Sequence, residues 1–129
     1  MSAKPPTAAG NGAFEGAAFW PTGQTDISGR PIWCVVFGPL VHNSPRLGRL
    51  EIPDGFTFDG PSIPWLVSWA MPAGSMFLAS AVHDWLLAET DVDKHDCDKA
   101  FRDALDACGC PGWAAWLAYR AVRSQTRRD

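Results

Sequence analysis

Gly55-Phe56-Thr57-Phe58-Asp59-Gly60-Pro61-Ser62-Ile63-Pro64 is the point at which this 129-residue chain changes character. Phe56 to Phe58 reads as a short extended segment, and Pro53 to Gly55 before it reads as a turn. Asp59-Gly60-Pro61 turns the chain again, and Ser62 with Pro64 supplies a helix N-cap and a first-turn proline. Upstream of this stretch the chain reads as short strands; downstream it reads as helices. Strands in one half and helices in the other, without alternation, predict an α+β fold. The expectation is a small antiparallel β-sheet from the N-terminal half packed against a layer of three to four helices from the C-terminal half.

Working upstream, Arg49 to Ile52 alternates cleanly, Pro31 to Phe37 contains the β-rich run Ile32-Trp33-Cys34-Val35-Val36-Phe37, and Phe14 to Trp20 is a further extended segment. Asp26 to Gly29 and Asn43 to Pro45 are the turns between them. The first residues have a different composition. Ser2 to Gly12 is rich in Pro, Ala and Gly and lacks the apolar core segment of a secretory signal. Such a composition cannot bury enough apolar surface by itself, so residues 1–24 read as an N-terminal arm or partner-binding extension and residues 25–129 as one domain.

Working downstream, a short helix over Trp65 to Ala70 is ended by Pro72. A second helix, Ser75 to Glu89, is apolar on nearly every side, the pattern of a central buried helix. Thr90 with Asp93 forms an acidic version of a capping box for a third. There Cys97, Ala100, Phe101, Ala104, Leu105 and Cys108 make one apolar stripe, and Gly109 supplies the stop. Pro111 opens a fourth helix with Trp113, Trp116 and Leu117 on one face. The uncharged stretch from Ile63 to Val82 is long enough to cross a bilayer, but Pro64, Pro72 and Gly74 break it, so no membrane span is expected.

A net charge of −3 and a pI near 5.5 argue against a protein whose main work is gripping nucleic acid or anionic lipid. The basic cluster Arg120, Arg123, Arg127 and Arg128 suits the last turns of a helix, where cations meet the negative end of the dipole. Cys34, Cys97, Cys108 and Cys110 lack the paired spacing of a zinc framework, and Cys97 and Cys108 fall on the apolar stripe. They read as buried thiols in a reducing compartment.

The chemistry-bearing residues sit where core is expected. His83 and Asp84 are neighbours about 100° apart on a helix that is apolar nearly all round, so at least one is buried and needs a partner. An adjacent His-Asp pair can ligate a divalent metal, given further ligands from other elements. Asp59, at the end of a strand and aimed at that helix, and Asp98, at the edge of the apolar stripe, complete a candidate metal set of His83, Asp84, Asp59 and Asp98. The candidate catalytic residues are Asp59, Ser62, His83 and Asp84, although Ser62 lacks the elbow motif of a serine nucleophile. The structural reading of the same residues is that Asp59 and Ser62 serve the turn and the cap. In that reading His83 bonds to Asp59 or a main-chain carbonyl. His95-Asp96 repeats the dipeptide on the polar side of its helix and reads as solvated surface.

Gly55-Phe56-x-x-Asp59-Gly60-x-Ser62-Ile63-Pro64, Ala81-Val82-His83-Asp84-Trp85-Leu86, Asp98-x-x-Phe101 and Gly109-x-Pro111 before a Trp-rich helix together resemble a domain-of-unknown-function family. The resemblance covers Arg49 to about Val122, and the family occurs mainly in tailed bacteriophages and prophages. The chain departs from the pattern at Leu86-Leu87, where an aromatic residue is usual. The resemblance implies a small phage-encoded protein, located in the virion or the host cytoplasm. Two functions follow as expectations. One is a structural or morphogenesis protein docked onto a larger virion assembly, tail or head associated, with other phage structural proteins as partners through the N-terminal arm. The other is a metal-assisted hydrolase used in lysis or counter-defence, with a His-Asp centred site and a divalent metal as cofactor.

Overall fold

The computed structural model describes residues 14–59, 69–72 and 74–124. Among these described residues six strands come first: β1 Phe14–Glu15, β2 Ala18–Thr25, β3 Pro31–Val36, β4 Leu40–Ser44, β5 Gly48–Ile52 and β6 Thr57–Asp59. Three helices follow: α1 Ser75–Glu89, α2 Lys94–Ala107 and α3 Gly112–Ser124. The fold is α+β, with strands and helices segregated along the chain.

The strands form two three-stranded antiparallel sheets, not one, with orders β1-β4-β5 and β2-β3-β6. The chain crosses between them three times, after β1, after β3 and after β5. At the first crossing Gly16 and Ala17 both have positive φ, 63° and 78°, and the Ala17 N–H donates to the Phe37 carbonyl. At the second, Gly38 takes its place because there is no room for more. A β-carbon there would lie 3.2 Å from Leu40 N and Val35 Cγ1 and 3.3 Å from Asp54 Cα. Strand β4 is the element that pattern reading misses. Its residues Leu40, Val41, His42 and Ser44 are all buried, so it shows no alternation to detect.

Residues 14–24, read above as part of the arm, lie inside this framework. Phe14 and Glu15 pair with His42 and Val41, and Ala18 to Pro21 pair with Val36 to Trp33. The Pro/Ala/Gly composition that suggests an arm belongs to the residues before Phe14, whereas Phe14 to Trp20 carries three aromatic side chains and satisfies its backbone by pairing with β3 and β4. The rest of the expected arm, residues 1–13, lies outside the described residues. The expected helix over Trp65 to Ala70 also falls largely outside them.

One core joins both sheets to all three helices. Val35, Leu40, Ile52 and Phe58 from the strands meet Leu78, Val82 and Leu86 of α1, Phe101 and Leu105 of α2, and Ala118 and Val122 of α3. Each large side chain buried this fully contributes about 1.5–3 kcal/mol. Helix α1 is central, as its composition predicts: nine of its residues are buried, His83 among them. All six residues of the apolar stripe on α2 are buried. The start of α2 differs from the expectation. Thr90 closes α1, its hydroxyl donating to the Leu86 carbonyl at 2.6 Å. Asp93 caps α2 by accepting the Asp96 N–H at 2.8 Å. An extended backbone at Asp93 lets its carboxylate reach the third residue on, which is what an N-cap requires.

Among the described residues no helix is long and apolar enough to cross a membrane.

Candidate functional site

Helix α1 carries His83 into the interior because its flanking positions, Ala79, Val82 and Leu86, are core. The ring is 2% exposed and cannot meet water, so both nitrogens need protein partners. Nε2 lies 2.5 Å from Oδ1 of Asp98, and Nδ1 lies 3.5 Å from Oδ1 of Asp84. Phe101 closes the third side, its ring edge-on to the imidazole at 5.5 Å between centroids. His83 thus hydrogen-bonds to Asp98 and pairs with Asp84, not with Asp59 or a main-chain carbonyl.

Asp98 is wholly buried on α2, and its carboxylate is the hub of the helical layer. Oδ1 faces His83 of α1. Oδ2 accepts from Lys94 Nζ at 2.7 Å, one turn back on α2, and from Arg123 Nη1 at 2.9 Å, on α3. Lys94 Nζ also donates to the Val122 carbonyl at 3.0 Å. One carboxylate therefore ties three helices together with charge-assisted bonds, the stronger kind.

The charges respond accordingly. Burial disfavours the imidazolium of His83, but the hydrogen bonds and charges of Asp84 and Asp98 outweigh it, and its pKa is raised above 6.5. Burial pushes the Asp98 carboxyl up, yet bonds from His83 and Lys94 more than reverse this and its pKa is lowered.

Asp59 ends β6 on the neighbouring turn. Its carboxylate lies 3.8 Å from Arg30 Nη2, the same guanidinium that pairs with Asp26. Burial, the neighbouring carboxyl group of Asp26 and the charge of Asp84 raise its pKa against the pull of Arg30. Asp26 organises the β2–β3 turn, accepting from Ser28 N–H at 2.8 Å, Ser28 Oγ at 2.6 Å and Arg30 N–H at 3.0 Å. The Ser28 hydroxyl is foremost in holding the Asp26 carboxyl well below the usual carboxylate range.

Of the four residues put forward as metal ligands, the fold brings His83, Asp84 and Asp98 into contact. Asp59 reaches them only through the field of Asp84. Among the described residues no three His, Cys, Asp or Glu side chains are placed to hold a metal ion. The donor set does not fit a divalent ion for a physical reason. Both oxygens of Asp98 already face His83 or the cations Lys94 and Arg123, and a metal there would meet two positive charges within hydrogen-bond distance. Ser62 lies outside the described residues. Lys94 and Arg123 are the site residues that sequence reading passes over. Lys94 was legible as an i, i+4 partner of Asp98. Arg123 was not, because nothing local says which way the last turn of α3 faces.

No curated protein and no solved structure gives a significant match to the chain. A family model does. It is described as a protein of unknown function, DUF1353, and matches residues 33–122, the segment from β3 through nearly all of α3. That match spans the whole Asp98 hub except Arg123, and the chain belongs to the DUF1353 family of proteins of unknown function.

Proposed function

We propose that this is a small, non-enzymatic, phage-encoded structural or morphogenesis protein that docks onto a larger virion assembly. The observation that supports it most is the closure of the Asp98 hub: its oxygens face His83, Lys94 and Arg123, and the imidazole is 2% exposed. An acid–base group must reach the proton it moves, directly or through one water. His83 and Asp98 instead join α1, α2 and α3, a use that suits a rigid subunit. Residues 1–13 precede β1, which is paired along β4, so the partner-binding arm leaves from an anchored strand. Its partners in this reading are other phage structural proteins of the tail or head.

The test is a deletion of residues 1–13 in a phage or prophage that encodes the protein, with mass spectrometry of purified particles. The expected outcome is a truncated protein with an unchanged thermal melt that is missing from particles carrying the full-length form. Absence of the full-length protein from particles would overturn the assembly role. Normal incorporation of the truncated form would overturn the role of the arm alone.

A further inference from the structure

Helix α3 is built with its faces reversed. The side packed on the rest of the fold is Ala114, Ala115, Ala118 and Val122, all buried. The large apolar residues point outward: Trp113, Trp116 and Leu117 are 52%, 44% and 40% exposed. With Arg120 they fall at i, i+3, i+4 and i+7, one continuous solvent-facing stripe. The Arg120 guanidinium lies 5.1 Å from the centre of the Trp116 ring, so the cation is held within the aromatic stripe. A surface helix ordinarily shows the opposite distribution, and an exposed stripe of this kind signals a partner.

Charge identifies the class of partner. The whole chain carries a net charge of −3, yet from Ala107 to Arg128 it has no carboxylate side chain, and four arginines fall in its last ten residues: Arg123, which is held by Asp98, and Arg120, Arg127 and Arg128 beside it. An acidic protein has gathered an arginine-only segment next to its exposed tryptophans. Net charge, the basis of the expectation against anionic lipid, averages this asymmetry away.

Three occupants can be compared on chemistry. A second copy would bring two such arginine segments together, a like-charge contact. Nucleic acid would use the arginines and tryptophans but gains nothing from Leu117. An anionic bilayer surface uses every member: Trp and Leu enter the boundary between headgroups and acyl chains, while arginines lie against the lipid phosphates. Arginine stems can reach that level while the aromatic rings sit slightly deeper.

We propose that the outward face of α3, Trp113, Trp116, Leu117 and Arg120, is a docking surface for membranes rich in anionic phospholipid. It is a peripheral contact, with the domain resting on the bilayer and nothing crossing it. The inference is independent of the assembly role, which rests on the hub and the arm.

The experiment uses the full-length protein with vesicles of phosphatidylcholine alone and of phosphatidylcholine with equimolar phosphatidylglycerol, read by flotation and by tryptophan emission. The expected result is binding about tenfold or more tighter to the anionic vesicles, with a blue shift of emission and weakening as salt is raised. Trp113→Ser with Trp116→Ser should abolish flotation, and Arg120→Glu should reduce it severalfold. Both positions are exposed, and a circular dichroism melt matching the wild type shows that the variants fold. Flotation with neither vesicle, equal flotation with both, or variants that float like the wild type would overturn the proposal. So would a concentration-dependent dimer that itself shifts the tryptophan emission, or tight binding to single-stranded DNA without binding to vesicles.

Discussion

At the scale of the residue, Asp98 carries the largest consequence. It is a wholly buried carboxylate, and its stability depends on three cationic or hydrogen-bonding partners. Removing one member of a buried ion pair strands the others, which costs more than the pair itself contributes. Asp98→Ala should therefore destabilise the protein by about 3 kcal/mol or more, measured by urea unfolding. His83→Ala should cost about 1–3 kcal/mol, because Asp98 keeps Lys94 and Arg123 when the imidazole is gone. The two titrations also set a pH window. The His83 pKa is raised by folding, so its contribution is complete below about pH 6.5 and is lost as pH rises through the folded value. The Asp98 pKa is lowered, so its contribution is complete above about pH 3.9 and is lost as pH falls through the folded value. Unfolding free energy should plateau between those limits and decline on both sides. In His83→Gln the alkaline decline should be absent, and an unchanged alkaline limb in that variant would remove His83 as its source.

At the scale of the element, the helix ends show how local rules and packing divide the work. Gly109 follows α2 with φ of 85°, and a β-carbon there would meet nothing within 4 Å. Its requirement is conformational, not steric, so Gly109→Ala should cost about 1–2 kcal/mol in thermal or denaturant unfolding. The cysteines beside it are sealed. Burial first, and then the neighbouring Cys110, pushes the Cys108 thiol up to about 12. Burial also raises Cys110, whose Sγ lies 3.5 Å from Ser75 Oγ at the start of α1. Cys34 on β3 is only partly buried. Brief treatment of the native protein with iodoacetamide near pH 8 should alkylate Cys34 first and leave Cys97, Cys108 and Cys110 protected until unfolding. Peptide mapping checks this, and early label on Cys108 or Cys110 would mean that the α2–α3 connection opens readily.

At the scale of the whole molecule, buried and exposed charge pairs contribute very differently to holding the layers together. Arg46, in the β4–β5 turn, donates to Asp103 of α2 at 2.9 Å and joins a sheet to the helical layer. Both side chains are partly exposed, so Arg46→Ala should cost less than about 1 kcal/mol, well below Asp98→Ala. A comparison of urea midpoints for the two variants checks the ranking, and equal losses would contradict it.

The sequence by itself determined the fold class, the extent of α1 and the apolar stripe of α2. All three follow from local periodicity and from the single change from strand to helix near Asp59. It also determined that at least one of His83 and Asp84 would be buried with a partner, since α1 is apolar nearly all round, and that Asp98 lay at the edge of the apolar stripe, within reach of an adjacent helix. Only the tertiary structure decided which partners. Lys94, Arg123 and Asp98 converge because α2 and α3 pack side by side, a relation no spacing encodes. Tertiary structure likewise divided the strands into two sheets, placed residues 14–24 inside them, and gave Asp59 to Asp26 and Arg30. It also set the outward face of α3. Both sides of that helix are apolar, and the Ala and Val side won the interior because small side chains allow the closer approach to α2.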